Sequence, residues 1–192
     1  MKDSSAGWEA VADRFIALRS GIGTSPVSGW AERHIAPGAT ILDIGCGHGM
    51  PIAQALVDKG YRVAGVDASP RLAAAFAQRF PDMAIACEPA QTSHFFHRRH
   101  PGIIAIGFIF LLDAAEQPNM LRRMARALEP GGRLLVSVPR EACAWRDTLT
   151  GRESASLGAA VYEAVLEESG VQPVGWLGDE GGNAYLDAAG PV

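Results

Sequence analysis

Three glycines at alternate positions, Gly45, Gly47 and Gly49, follow the apolar run Ile41-Leu42-Asp43-Ile44. A second apolar run, Val63-Ala64-Gly65-Val66, ends on an acid, Asp67. Glycines after a strand let the backbone turn sharply and let a ligand lie against it with no Cβ in the way. A carboxylate at the end of the neighbouring strand can accept hydrogen bonds from both hydroxyls of a ribose. Residues of these types in this order suit a nucleotide-like molecule bound at the carboxyl ends of adjacent parallel strands. The spacing is G-x-G-x-G, which differs from the G-x-G-x-x-G of a dinucleotide fingerprint.

The elements that must hold these residues read as strands alternating with helices. Residues 40–44, 61–66, 83–87, 102–108 and 133–138 are predicted strands. Residues 50–59, 69–80 and 118–128 are predicted helices, with 91–99 a further helical candidate. Ser69-Pro70 starts one helix and Pro81 stops it. The run Gly102 to Phe108 is apolar throughout, as a strand covered on both faces should be. Alternation of this kind gives a doubly wound, mostly parallel sheet with helices on both faces. After Pro139 a helix is predicted over 155–169, then strands at 171–177 and 183–187. The short link between these last two makes them a hairpin, which places one antiparallel strand in the sheet. Before the first strand, Trp8, Val11, Phe15 and Leu18 share one face of a predicted helix over 7–20, and a second helix is predicted over 26–34.

The chain has 192 residues and 48 % hydrophobic residues, enough for one domain with a sizeable core. A net charge of −4 gives no general attraction to nucleic acid. No apolar run reaches membrane-spanning length, and the first residues lack the apolar core of a secretory signal. Three widely spaced cysteines, Cys46, Cys87 and Cys143, fit a reducing, cytoplasmic setting better than a disulfide framework. Nothing points to a metal. His94, His97 and His100 beside Arg98 and Arg99 lack an accompanying carboxylate or cysteine, and read as a weakly basic surface stretch.

Together and in register, the glycine loop, Asp67 and the segment Leu128-Glu129-Pro130-Gly131-Gly132-Arg133-Leu134 resemble the class I S-adenosylmethionine-dependent methyltransferases. The likeness covers roughly residues 30 to 140. Residues 141 to 188 resemble the tail of small, type-11-like members. The resemblance implies a seven-stranded Rossmann-like sheet, S-adenosylmethionine as cofactor and S-adenosylhomocysteine as product. It implies that Gly45, Gly47 and Gly49 line the methionine end, with Cys46 a small packing residue within the loop and Asp43 tethering loop or ammonium. Asp67 would hold the ribose, and Ala68 and Ser69 would lie near ribose and adenine. Glu88 would meet the adenine amino group. Pro89 removes the backbone N–H that completes such a contact, so Gln91 is the alternative. Backbone carbonyls around Ala105, Ile106 and Gly107 would bind the ammonium, and Phe108 either walls the pocket or packs in the core. Where many relatives carry an acid before the fourth strand, this chain has His100-Pro101-Gly102-Ile103.

Methyl transfer from a sulfonium needs alignment and exclusion of water more than a fixed set of catalytic groups, and no catalytic residue is identifiable. The Asn/Asp-Pro-Pro-Tyr/Phe segment of amine-of-base methylation is absent, and Phe108-Ile109-Phe110-Leu111-Leu112-Asp113 follows the fourth strand instead. With the acidic net charge, that favours a small-molecule acceptor, methylated at oxygen, nitrogen or sulfur; a monomer or homodimer is expected. The predicted helices within 1–36 and the segment after the fifth strand would roof the acceptor. Trp145 is placed to stack on a flat acceptor and Arg19 to bind an anionic one, with Asp147 beside them. Trp8, Phe15, Trp30, Arg146 and Tyr162 fall in the same regions. The tail Gly178-Asp179-Glu180-Gly181-Gly182-Asn183-Ala184-Tyr185 resembles a family signature with Ala184 in place of a histidine, and also reads as a plain hairpin turn. Two other readings remain open: a cofactor-binding protein without transfer activity, and an NAD(P)-dependent oxidoreductase, against which the glycine spacing and the lack of a Tyr-x-x-x-Lys pair argue.

Overall fold

The computed structural model describes residues 5–18 and 20–192. The predicted apolar runs become β1 (Thr40–Ile44), β2 (Arg62–Asp67), β3 (Ala84–Cys87), β4 (His100–Ala105) and β5 (Leu128–Ser137). Then come β6 (Cys143–Arg146), β7 (Glu153–Ser156), β8 (Gln172–Gly178) and β9 (Ala184–Ala189). The helices are α1 (Ala12–Leu18), α2 (Thr24–His34), α3 (Ile52–Asp58), α4 (Pro70–Arg79), α5 (Gln117–Ala127) and α6 (Ala159–Glu168). Seven strands form one sheet in the order β3-β2-β1-β4-β5-β9-β8. β1 to β5 run parallel, and β9 pairs antiparallel with both β5 and β8. The strand order reverses beside β1, so a crevice must open where β1 and β4 diverge into their loops.

Side chains alternate across a strand, and the two faces of β1 feed two cores. Leu42 and Ile44 pack with Ile103, Met120 and Leu121 of α5, and Leu166 of α6. Ile41 packs on the other face with Val63, Ile104, Trp30 of α2, Leu56 of α3 and Phe76 of α4. Full burial of one such aliphatic side chain contributes about 1.5–3 kcal/mol, which is why the central strands tolerate so few polar residues. α4 starts where the sequence requires: Ser69 Oγ accepts the Leu72 N–H at 3.2 Å, and Pro70 occupies the first turn. α2 is fixed to the sheet by Asp187, which is buried but paired. Trp30 Nε1 donates to one of its oxygens at 2.8 Å and Arg133 to the other at 2.5 Å.

Several expectations are corrected. The helix predicted over 155–169 begins only at Ala159, because Glu153–Ser156 pairs with Cys143–Arg146 as a separate two-stranded sheet. Its turn is built on Asp147, which accepts the Leu149 and Thr150 N–H groups and the Thr150 hydroxyl. Gly158, at φ 88°, then redirects the chain into α6. The helix proposed over 91–99 is one tight turn, Phe95–His97, wound in the left-handed region. β4 stops at Ala105 rather than Phe108, since Gly107 turns at φ 72° and donates its N–H to Ser137 Oγ at 2.6 Å. β5 starts at Leu128 and crosses the Pro-Gly-Gly segment with a register shift opposite Pro101, which has no N–H to pair. The predicted amino-terminal helix is a tight turn, Glu9–Val11, leading into α1, and Leu18 is exposed instead of sharing the buried face.

Candidate active site

The crevice above the carboxyl ends of β1, β2 and β4 is a cleft of about 950 Å³, part of it open to solvent. Its floor is the loop after β1, its sides are the ends of β2 and β4, and Ser5, Ala6, Trp8 and Phe15 roof it.

The glycine loop is shaped from both sides. Gly45 has φ 74°, and a Cβ there would lie 2.6 Å from the Phe108 ring. Gly49 has φ 83°, and its Cβ would lie 2.3 Å from Phe80 and 2.9 Å from Phe76. Gly45, Cys46 and Gly47 line the cleft. Gly49 does not: it lets the loop sit on the aromatic pair beneath it. Gly45 and Cys46 donate their N–H groups to the Val66 carbonyl at 2.8 and 3.2 Å, clamping the loop to β2.

Asp67 is the centre of this arrangement. Its Oδ2 accepts the Gly47 N–H at 2.8 Å and its Oδ1 accepts the Ser69 N–H at 2.8 Å. An ionised carboxylate has about four acceptor positions, so each oxygen keeps one for a ligand. Burial pushes the Asp67 carboxyl above its usual value, the two N–H bonds pull it down, and the Glu9 charge adds to the rise. Ser69 is fully buried and does not line the cleft. Its hydroxyl donates to Glu9 Oε2 at 2.5 Å, while Arg71 N–H donates to the same oxygen at 3.0 Å. Glu9 thus fastens the roof to the first turn of α4, next to Asp67.

Asp43 is buried and lines the cleft, as do Ala68, Ile106, Gly107 and Phe108. The Cys46 thiol is held well above its usual value, chiefly by burial and then by Asp43 and Asp67, so it stays neutral. Glu88 lies outside the lining; its N–H donates to the Asp67 carbonyl. Thr92 and Ser93 both donate to the Pro89 carbonyl, and this turn carries Ala90 and Gln91 into the cleft instead. Gln91 Nε2 reaches Glu116 at 3.3 Å.

The expected second roof is not assembled from the residues singled out for it. Trp145 lies on β6 with its ring 5.1 Å from that of Phe110, outside the lining, and Asp147 is spent on the β6–β7 turn. Arg19 lies outside the described residues. Trp30 and Tyr162 are core residues, the latter donating to Gln117 Oε1 at 2.6 Å. Sequence reasoning missed Met50, Ile52, Leu72, Leu111 and Leu112 as lining residues. The apolar run after β4 was the visible signal for the last two.

A family profile described as a methyltransferase domain matches residues 25–161. No curated protein matches the chain. Among solved structures, 1,6-didemethyltoxoflavin-N1-methyltransferase of Burkholderia thailandensis is similar at a TM-score of 0.72 and 18 % identity, over 98 % of this chain and 91 % of that one. The CcbJ methyltransferase of Streptomyces caelestis is similar at 0.76 and 15 % identity over 100 % of both chains. The [4+2]-cyclase SpnF is similar at 0.76 and 16 % identity, over 99 % of this chain and 96 % of that one. At these identities the likeness speaks for the fold, and the profile match speaks for the family. With a sheet of that order and a glycine loop and acid at its crevice, the chain belongs to the methyltransferase-domain family.

Proposed function

We propose that this methyltransferase uses S-adenosylmethionine to methylate a small acceptor with a largely apolar body. The observation that carries the reading is Asp67, held by two backbone N–H groups in a cleft with its remaining acceptor positions unused by the loop. The neighbours also favour it: the 1,6-didemethyltoxoflavin-N1-methyltransferase was crystallised with S-adenosylhomocysteine, and a glycopeptide N-methyltransferase, MtfA, with S-adenosylmethionine. In this reading Asp67 accepts the ribose hydroxyls, and Ala68, Ala90 and Gln91 border the adenine. Gly45 and Gly47 flank the methionine end, with Asp43 and the Ile106–Gly107 backbone meeting its ammonium.

Bound S-adenosylmethionine supplies an activated methyl group on a sulfonium. The chain's own part is to orient and to exclude water. Trp8 and Phe15 close the cleft from above, and Phe108, Leu111 and Leu112 wall it beyond β4. Among the described lining residues the ionisable side chains are Asp43, Asp67 and the neutral Cys46. None is a histidine, lysine or tyrosine suited to take a proton from a weakly acidic acceptor. The reading therefore favours acceptors that present a lone pair without a strong base, such as an amine or a readily ionised thiol or phenol.

The test is transfer itself. The protein is incubated with S-adenosylmethionine and panels of apolar amines, phenols and thiols, and S-adenosylhomocysteine formation is followed. Acceptor-dependent product formation is expected from the amine panel or from acidic phenols and thiols. Tight binding of S-adenosylhomocysteine with no transfer to any panel member would favour the non-catalytic binding protein.

A further inference from the structure

The opposite end of β4 carries a second, shallow cleft that is largely open to solvent, with His94, His97, Arg98 and Arg99 exposed. Ser93 to Arg99 precede the strand, and the last turns of α5 lie beside them. Arg98 and Arg99 come from the first segment, and Arg123 and Arg126 from the helix. His94 and His97 also line it, and the lining contains no acid. Four of the chain's 17 lysines and arginines thus converge on one surface of a protein whose net charge is −4. Arg98, Arg99 and Arg126 have no ion pair or hydrogen bond among the described residues. The negative end of the α5 dipole accounts for a cation in the last turn, which covers Arg126 and leaves the other three.

The cleft is also built rather than merely solvated. Phe95, Phe96 and His97 all have positive φ, at 47°, 60° and 54°. Side-chain-bearing residues avoid this region, and such strain persists only where the surroundings enforce it. Here Ser93 Oγ accepts the Phe95 N–H at 3.0 Å, His97 N–H donates to the His94 carbonyl at 2.8 Å, and His100 Nε2 meets the Phe95 carbonyl at 3.0 Å. The turn stacks His94 on His97, with ring centroids 4.7 Å apart. Arg123 is locked to it: one terminal nitrogen donates to the Ser93 carbonyl, and the guanidinium lies over the Phe95 ring at 5.3 Å. Its buried Nε has no partner among the described residues. A fixed guanidinium with three unpaired ones around it matches the planar, multidentate geometry of phosphoryl oxygens.

We propose that this cleft binds the phosphoryl groups of a small polyanion, such as a diphosphate or its ester. It lies at the far end of the sheet from the cofactor cleft, about 20 Å away for a strand of this length, and stands independently of the methyltransferase reading. The test is a calorimetric titration of the full chain with inorganic pyrophosphate at about 0.15 M salt, where diffuse surface attraction is largely screened. Saturable one-to-one binding is expected. It should weaken about tenfold or more in Arg98→Ala/Arg126→Ala, as loss of two charge-assisted contacts requires, and stay unchanged in Arg122→Ala, whose side chain pairs with Glu168 at 3.3 Å. A melting temperature within a few degrees of the parent's would report an intact fold. Should the double variant melt well below the parent, Arg99→Ala replaces it, with at least about threefold weakening expected on the same ground. Absence of saturable pyrophosphate binding, or equal affinity in the folded variants, would overturn the proposal.

Discussion

Asp67 and Asp179 are both aspartates at a strand end that gather backbone N–H groups, and they differ in what is left over. Asp179 sits in the β8–β9 turn and accepts from Gly181 N–H, from the Asn183 N–H and side-chain amide, and from the Tyr185 hydroxyl at 2.6 Å. Burial alone would raise its carboxyl, but bonds from Tyr185, Asn183 and Gly181 outweigh that and hold it below the usual value. Asp67 has two donors, greater burial and a raised carboxyl. A carboxylate whose acceptor positions are filled by its own chain is part of the fold. One kept short of donors inside a cleft is poised for a ligand. The tail that resembles a family signature is, by this comparison, a device that holds Tyr185 against Gly23 at the start of α2.

The largest effect that sharpens the contrast is on affinity. Asp67→Ala should weaken S-adenosylhomocysteine binding roughly 100-fold or more, since two hydrogen bonds to a charged group contribute about 1.5–3 kcal/mol each. Titration of the variant checks this, and Asp179→Asn measured alongside should bind like the parent. Stability should show the reverse. Asp179→Asn removes charge-assisted bonds at a partly solvated turn, a loss of about 1 kcal/mol and a few degrees in Tm. Because its folded carboxyl lies below the unfolded 3.8, that stability is present above this value and is lost as pH falls through the folded one. Parent and variant melting curves should therefore converge in acid. For Asp67 the sign is opposite. Its raised carboxyl means the ionised form burdens the ligand-free fold at neutral pH and the burden lifts as pH falls, while ligand affinity falls with it. Melting curves with and without S-adenosylhomocysteine across acid pH would show the two trends crossing.

Smaller effects separate the two expected roofs. Glu9→Gln cuts the charge that joins the roof to Ser69 and Arg71, and should speed ligand release about 3- to 10-fold in a stopped-flow displacement. Trp145→Ala removes an aromatic contact with Phe110 on the β6–β7 hairpin, worth about 0.5–1.5 kcal/mol. It should lower Tm slightly and leave cofactor affinity within about twofold, as that contact acts outside the cleft. A large affinity loss there would make the hairpin part of the roof after all.

The parts of the molecule legible in the sequence were those whose signals are local. Each central strand announces itself as an apolar run, and Gly45, Gly47 and Asp67 sit at the ends of such runs, so topology alone delivers them to one crevice. Signals failed where a contact far along the chain decides the conformation. Apart from Trp145, the β6–β7 strands are made of small and polar residues without a clear period, and each strand's partner sets its state. The left-handed turn at 95–97 contradicts local preference and is enforced by Ser93, His100 and Arg123. Glu88 looked right by position, but the Pro89 turn advances the chain so that Gln91 enters the cleft. The basic cleft required two arginines from α5 that no spacing in the 94–100 segment reveals.

The most direct test of the central claim is a calorimetric titration of the parent protein and Asp67→Ala with S-adenosylhomocysteine, with NAD as comparator. Micromolar binding to the parent, about 100-fold weaker or absent in the folded variant, is the predicted result. Equal binding by both proteins, or binding of NAD in its place, would contradict the assignment of Asp67 and of the cleft around it.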